Sequence, residues 1–309
     1  MKANVIKKGK WKKEYTQGII MASIPIVGIF IFAGIPLIFS LYFSVTKLNG
    51  YILEDAQFLG WTNMFDNNKY ILIDPKFWQS VRNTFYAALA LPLSIVIGLL
   101  ISVLLNQNIR GKKLYRTIFF IPYVCSLVAV VITFKSIYNY NYGPLNDILE
   151  IFGMERVRWL NDENYYMPAM IFMGVWTGTG FNIILFSAAL TNINKSCYEA
   201  ASIEGAGKFR QFFAITLPAI SPTTFYLLVM GLIGSLQDFA RFQAMTPDGG
   251  PAQSGMTMVF YLYNMGFRNT FSYGMGYAAA AAWIVAVFVI ALTVVNFKVS
   301  KKWVHYDEI

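Results

Sequence analysis

The sequence predicts an all-α integral membrane protein with six transmembrane helices, and three observations carry that prediction. Of its 309 residues, 56% are hydrophobic and only 13% charged, against about 25% charged in a soluble domain. Six uncharged runs, 17–46, 83–109, 117–134, 164–194, 211–237 and 269–297, each reach the roughly 18 residues expected of a bilayer-spanning helix. The net charge of +9 is segregated: sixteen Lys and Arg fall in the amino end, the second and fourth connections and the carboxyl tail, and seven in the other three connections. By the positive-inside rule both termini are expected to be cytoplasmic. That placement points to membrane topology and away from nucleic acid.

Residues 1–16 form a basic, cytoplasmic amino terminus, expected to lie on an anionic leaflet with about 1 kcal/mol of attraction per Lys. The first transmembrane helix, 17–46, contains Pro25 and Pro36, which predict a kink. It exceeds the h-region of about 7–15 residues of a cleaved signal and shows no good small-x-small cleavage site before polar sequence, so it is read as uncleaved. Residues 47–79 read as an external loop. Here Trp61, Phe65, Tyr70, Phe77 and Trp78 stand among Glu54, Asp55, Asp66 and Asp74. They fit an interfacial belt or a contact with an external protein over 62–72.

Residues 80–298 form a five-helix core with spans at about 83–109, 114–138, 164–190, 218–243 and 272–297, followed by the cytoplasmic tail 299–309. Between the third and fourth spans, Tyr138-Asn-Tyr-Asn-Tyr-Gly-Pro144 precedes an amphipathic stretch, 145–160. The Asn and Tyr residues suit a turn. They also suit a sugar, whose C–H faces pack on aromatic rings while amides satisfy its hydroxyls. In the fourth span, Gly174 and Gly178 permit close helix contact. Trp176 and Asn182 are less easily assigned to packing, because a buried amide needs a partner. In the fifth, Asp238 and Arg241 stand at i and i+3, where one helix face would pair them. Ionisable groups inside a span are expensive and mark function by default, so pathway and structural roles both stay open. The sixth span, with Gly274, Gly276 and Ala278 to Ala282, suits tight packing.

Several chemistries are disfavoured. Cys125 and Cys197 offer no disulfide framework, and His305 is the single histidine, so neither a catalytic residue nor a metal site is expected. Gly207-Lys208 is followed by Phe209 and lacks the upstream glycine of a phosphate-binding loop. Any ATP must be held by a partner.

The polar stretch 196–218 lies between two apolar runs. Ser196 and Glu199 have capping-box spacing, predicting a helix start. Glu204-Gly205-Ala206-Gly207 should stop that helix. A second short helix, Lys208 to Thr216, would carry Phe209, Phe212 and Phe213 on one face and end at Pro218.

Glu199-Ala200-Ala201, then Gly205, Ile215, Leu217 and Pro218, fill every position of E-A-A-x3-G-x9-I-x-L-P. The chain therefore resembles the permease subunits of binding-protein-dependent ABC importers. Thr246-Pro-Asp-Gly-Gly-Pro251, with Tyr263 and Phe267 beyond it, resembles the carbohydrate branch, although glycerol-phosphate permeases share the pattern. The resemblance implies a type I ABC importer permease fold in the bacterial cytoplasmic membrane, with a cytoplasmic EAA coupling loop, 196–218. Its first helix would dock on an ATP-hydrolysing subunit. Segments similar to those lining the sugar in maltose permeases point to Gly178, Phe181, Gly231, Ser235 and Asp238. Trp176, Asn182 and Arg241 join them as pathway candidates.

The implied partners are a second homologous permease, an ATPase dimer holding ATP and Mg, and a lipid-anchored or periplasmic sugar-binding protein. No cofactor is expected in this chain. Alternatives are a permease for glycerol phosphate or another polar solute, or a stand-alone secondary carrier, which predicts inverted repeats and ion-coupling acids. A membrane enzyme lacks a catalytic constellation.

Overall fold

The structure, a computed structural model, describes residues 2–48, 56–60, 71–107, 109–268 and 274–305, with side chains from Tyr15 onward. Among the described residues four helices are long and apolar enough to cross a membrane: Tyr15–Ser44, Pro75–Asn106, Glu163–Asn192 and Gly274–Ser300. Two sharply bent pairs, Lys112–Val124 with Leu127–Ile137 and Lys208–Ala219 with Ser221–Leu236, bring the number to six if each pair is one span. The chain divides into two compact units, residues 1–71 with 265–283 and residues 72–264 with 284–309.

In the first unit, α1 (Lys2–Ile29) carries Pro25 inside it and runs through a π turn, Phe30–Gly34, into α2 (Ile35–Ser44). The wide turn stands directly before Pro36. Proline has no N–H, and its ring crowds the carbonyl four residues back, so a π turn there relieves both conflicts. The apolar side chains of Tyr15–Ser44 are largely exposed, Phe32 to 83%, as a helix facing hydrocarbon requires. A two-stranded ribbon follows: β1 (Thr46–Lys47) pairs antiparallel with β2 (Gln57–Phe58), Thr46 opposite Phe58. Gly276 lies so close to the Thr46 and Phe43 carbonyls that a Cβ would have no room. Met275 N donates to the Leu48 carbonyl at 2.8 Å. Glu54, Asp55, Trp61, Phe65, Asp66 and Tyr70, singled out in the first loop, lie outside the described residues, as do 62–70 of the contact expected there.

The second unit opens with α3 (Pro75–Ala88) and α4 (Ala90–Asn106). The Asp74 carboxylate accepts from Lys76 N at 2.8 Å and Pro75 takes the first helical position, a strong start signal. The helix therefore begins eight residues before the uncharged run at Asn83. Phe77 and Trp78, expected in a loop, are helical, and Phe77 is fully buried. Next, α5 (Lys112–Val124) and α6 (Leu127–Ile137) meet at 98° within the stretch 114–138 expected to hold one span. Cys125 and Ser126 take extended backbone there, and the Ser126 hydroxyl caps α6 by accepting from Ala129 N at 3.3 Å.

After α7 (Pro144–Ile151), the 30-residue α8 (Glu163–Asn192) is capped by Asp162. Gly98 of α4 lies against the Asn182 side chain of α8, so the two backbones approach closely. Around them Ile95, Phe186, Leu190, Ile193, Ile220 and Leu227 form a buried cluster. The chain continues through α9 (Lys195–Ile203), α10 (Lys208–Gln211), α11 (Leu217–Ala219), α12 (Ser221–Leu236) and α13 (Ala240–Met245) to α14 (Met258–Tyr263) and α15 (Gly274–Ser300).

Candidate functional site

The polar segment between α8 and α12 forms an elbow. Its first helix is capped by Asn194, whose side-chain oxygen accepts from Ser196 N at 3.0 Å. The expected Ser196 cap is thus corrected by two residues: the Asn194 carboxamide takes the Ser196 N–H, the group that Glu199 would bond in the capping box. Gly205 adopts φ +80°, and Ala206 N reaches back to the Ala201 carbonyl at 2.9 Å. This is the left-handed stop that glycine supplies.

The second helix departs from expectation. A π turn, Phe212–Thr216, follows α10, and the helix passes through Pro218 to Ala219 before a 60° bend into α12. As at Pro36, the wide turn lies just ahead of the proline and accommodates its missing N–H. Pro218 therefore does not end the helix.

Glu199, Ala200, Gly205 and Leu217 are exposed, whereas Ala201, Ile215 and Pro218 are half-buried. Ile203 is 88% and Phe209 79% exposed, an apolar surface on a polar segment. Two hydrogen-bonded ties close the segment on itself, and packing joins it to the spans. The Tyr198 and Thr216 hydroxyls bond at 2.8 Å. Gln211 Nε2 donates to Ser202 Oγ and to the Ala206 carbonyl, both at 2.9 Å. Tyr198 and Ile215 also pack on the cluster of Ile95, Phe186 and Leu190. Between these ties a cavity of about 600 Å³ remains, lined by Asn106, Leu190, Lys208, Gln211 and Phe212 among others.

The eight pathway candidates lie on α8, on α12, on α13 and in the turn between the last two. Asn182 is 5% exposed, and its Nδ2 donates to Ser94 Oγ of α4 at 3.1 Å; Ser94 is the partner that the buried amide demanded. Gly178 faces the same serine, and Gly231 of α12 faces Leu91. Phe181 stacks on Tyr123 of α5, centroids 5.0 Å apart, while Trp176 meets Phe134 of α6 edge-on at 5.3 Å. The Ser235 hydroxyl is spent within its own helix, donating to the Leu232 carbonyl.

Asp238 and Arg241 form an ion pair at 2.5 Å with side chains 20% and 13% exposed. They do not share a continuous helix face: α12 ends at Leu236, and Arg241 belongs to α13. The guanidinium occupies the space in which Gly174 would carry a Cβ. Gly174 is therefore less a helix-contact residue than the niche for Arg241.

The segment from Thr246 to Thr257 is held by residues that the sequence did not single out. Gly249 and Gly250 have φ +86° and +75°, and Ala252 and Gln253 follow in the left-handed region at φ 49° and 58°. Such backbone persists where surroundings over-determine it. Here Gln79 donates to the Ala252 carbonyl, Asn83 to those of Gln253 and Met256, and Met258 N to Thr84 Oγ1. The Tyr166 hydroxyl bonds Thr246, and its ring lies against Gly250 and Gly255. The available signal was the row of amides and hydroxyls at 79, 83 and 84 in α3.

The Asn-Tyr cluster is a turn. Asn139 Oδ1 accepts from Asn141 N and Tyr142 N. Arg156 donates to both Glu150 oxygens, at 2.6 and 2.9 Å, to Asp147, and to the Tyr140 and Asn141 carbonyls. That guanidinium holds the Glu150 carboxyl below its ordinary value.

A family model described as "Binding-protein-dependent transport system inner membrane component" matches residues 90–304. The chain is 33% identical to the "Probable ABC transporter permease protein YesP" of Bacillus subtilis (strain 168), over 99% of this chain and 97% of that protein. It is 35% identical to the "Lactose transport system permease protein LacF" of Rhizobium radiobacter, over 74% of this chain and 78% of the relative. A solved bacterial ABC transporter "involved in the import of the acidic polysaccharide alginate" has a chain that superposes with TM-score 0.78 at 23% identity, covering 94% of this chain and 98% of that one. At that identity the likeness concerns the fold.

Proposed function

Because the chain belongs to the family of binding-protein-dependent transport system inner membrane components, a multi-pass ABC permease of the inner membrane, we propose that it forms one half of the pathway of an ATP-driven sugar or oligosaccharide importer. The observation that carries the substrate class is the 35% identity to a lactose permease across three quarters of the chain. In this reading each bent helix pair is one span, giving six, and both termini and the segment 196–218 face the cytoplasm. A second homologous permease completes the pathway, and an extracellular sugar-binding protein delivers the cargo. A dimer of ATPase subunits holds ATP and Mg.

Glu199, Ala200, Ala201 and Gly205 form the helix and stop presented to the ATPase, and Ile215, Leu217 and Pro218 return the motion to the spans. The exposed Ile203 and Phe209 supply apolar surface for that docking. The Tyr198–Thr216 bond closes the segment on itself, and the packing of Tyr198 and Ile215 ties it to α4, α8 and α12, so a rigid displacement of the segment moves those helices. Alternating access then requires sugar and ATP to bind the two states with different affinities. The pathway is assigned to Trp176, Gly178, Phe181, Asn182, Gly231, Ser235, Asp238 and Arg241. Within that set Asp238 and Arg241 fix the wall rather than face the sugar.

The test is purification of the chain from native membranes with its associated subunits identified, and ATP hydrolysis assayed with and without sugar-loaded binding proteins. Recovery of a second permease and sugar-stimulated hydrolysis is the expected result. Recovery of a folded, solitary chain that takes up solute on a proton or sodium gradient would replace this reading with a secondary carrier.

A further inference from the structure

The elbow between the segment 208–219 and α12 contains a gap in the helical hydrogen-bond ladder. In an unbroken helix the Pro218 carbonyl would accept from the N–H four residues on, but residue 222 is proline and has none. Ser221 fills the gap: its Oγ donates to the Pro218 carbonyl at 2.6 Å. The same oxygen accepts a second bond, from the backbone N–H of His305 at 2.9 Å. Ser221 is 3% exposed, so water does not compete for these positions.

The carboxyl tail is brought there by packing. Beyond Ser300 the chain turns back, Trp303 N and Val304 N both donating to the Ser300 carbonyl. Trp303 and Phe297 then lie edge-on to Phe225, centroids 6.4 and 5.2 Å away. Phe225 is one helical turn from Ser221 on α12. One aromatic contact, Trp303 on Phe225, and one buried hydrogen bond thus hold the tail to the α12 side of the 60° elbow, and the Ser221 hydroxyl carries the link across it to Pro218.

We propose that residues 301–305 act as a strap that stiffens this elbow, making Ser221, Phe225, Trp303 and the His305 backbone positioning groups for transport. Resting on the importer reading above, the argument is mechanical. Backbone bonds across the bend are sparse, Ile220 N to Thr216 and Thr224 N to Ile220, and the bend is where the coupling segment joins the span. A compliant elbow absorbs the displacement of the segment; a strapped one passes it to α12. The sequence marks this tail as cytoplasmic, suited to anchoring or to ATPase contact, and its last residues, 306–309, lie outside the described structure.

The test uses the complete importer in proteoliposomes and reads sugar transported per ATP hydrolysed. Chains ending after Ser300 and after His305 are compared with the full chain, together with Trp303→Ala and Trp303→Phe. The expected result is a ratio lowered roughly threefold or more by the shorter truncation and by Trp303→Ala, within the range that transmission residues produce. Stimulated hydrolysis persists, and the chain ending after His305 and Trp303→Phe stay close to wild type. Should the shorter truncation fail to assemble, the two full-length Trp303 variants decide by the same ratio. An unchanged ratio in Trp303→Ala, or a fall in thermal stability alone, overturns the strap. An equal loss in the chain ending after His305 overturns it too, since that chain keeps the clamp. A wild-type complex without sugar-stimulated hydrolysis overturns the importer reading itself.

Discussion

Gly174 and Arg241 are 67 positions apart in sequence, yet each determines what the other can be. A methyl at 174 would meet the guanidinium. Gly174→Ala is therefore expected to destabilise the chain by about 1–3 kcal/mol, as overpacking of a tight site does, measured by thermal unfolding in detergent. Asp238→Asn leaves Arg241 largely buried without a counter-charge; loss of a buried partner costs about 3–5 kcal/mol, and the partial exposure of this pair lowers that to about 2. The same variant is expected to change uptake kinetics more than complex assembly; unchanged kinetics would remove Asp238 from the pathway. Outside the spans, Arg156 depresses the Glu150 carboxyl through a direct hydrogen bond. A depressed folded value means that stability is fully present above the ordinary carboxylate range and lost as pH falls through the folded value. Protease protection of 138–162 should fall on acidification in wild type, and Arg156→Gln should flatten that dependence. Much of this was legible in the sequence: the Asp238–Arg241 spacing and the unpartnered Asn182 both announced partners. Ser94 as that partner, and Gly174 as a niche, were not legible, because each depends on which distant helix lies opposite.

At the scale of single elements, caps and prolines decide the outcome. Gly205 holds φ +80°, a conformation costing a side-chain-bearing residue about 1–2 kcal/mol. Gly205→Asp and Glu199→Lys are expected to insert normally while abolishing transport and sugar-stimulated hydrolysis; ordinary uptake in both would refute a docking role for α9. The glycine stop was readable from the sequence. The start was misjudged because Asn194 and Ser196 are both good caps, and geometry alone chooses between them. Proline was readable as a disruption but not in its consequence. Pro36 and Pro218 each follow a π turn inside a continuing helix, whereas the 98° break in the third hydrophobic run falls at Cys125 and Ser126, three residues past Pro122. Hydropathy registers that a run is apolar long before it registers that the run is bent.

For the chain as a whole, apolar runs and charge segregation sufficed to predict a helical membrane protein, and a fixed-spacing motif sufficed for the family. What they could not supply is the set of polar ties from α3 to the segment 246–257, since those join positions more than 160 residues apart. Asn83→Leu removes the bonds to the Gln253 and Met256 carbonyls, the second of them buried, where a lost partner costs about 1–3 kcal/mol. Faster proteolysis of the segment 246–257 in the assembled complex is the expected readout, with α9 unaffected. The distribution of sulfur has a practical consequence. The two free thiols lie at informative places: Cys125 is exposed at the 98° break and Cys197 is half-exposed within α9. A pair of nitroxide labels on these native positions makes the protein its own ruler. Pulsed electron spin resonance would then follow the spacing between break and loop through the transport cycle without introducing a single foreign cysteine.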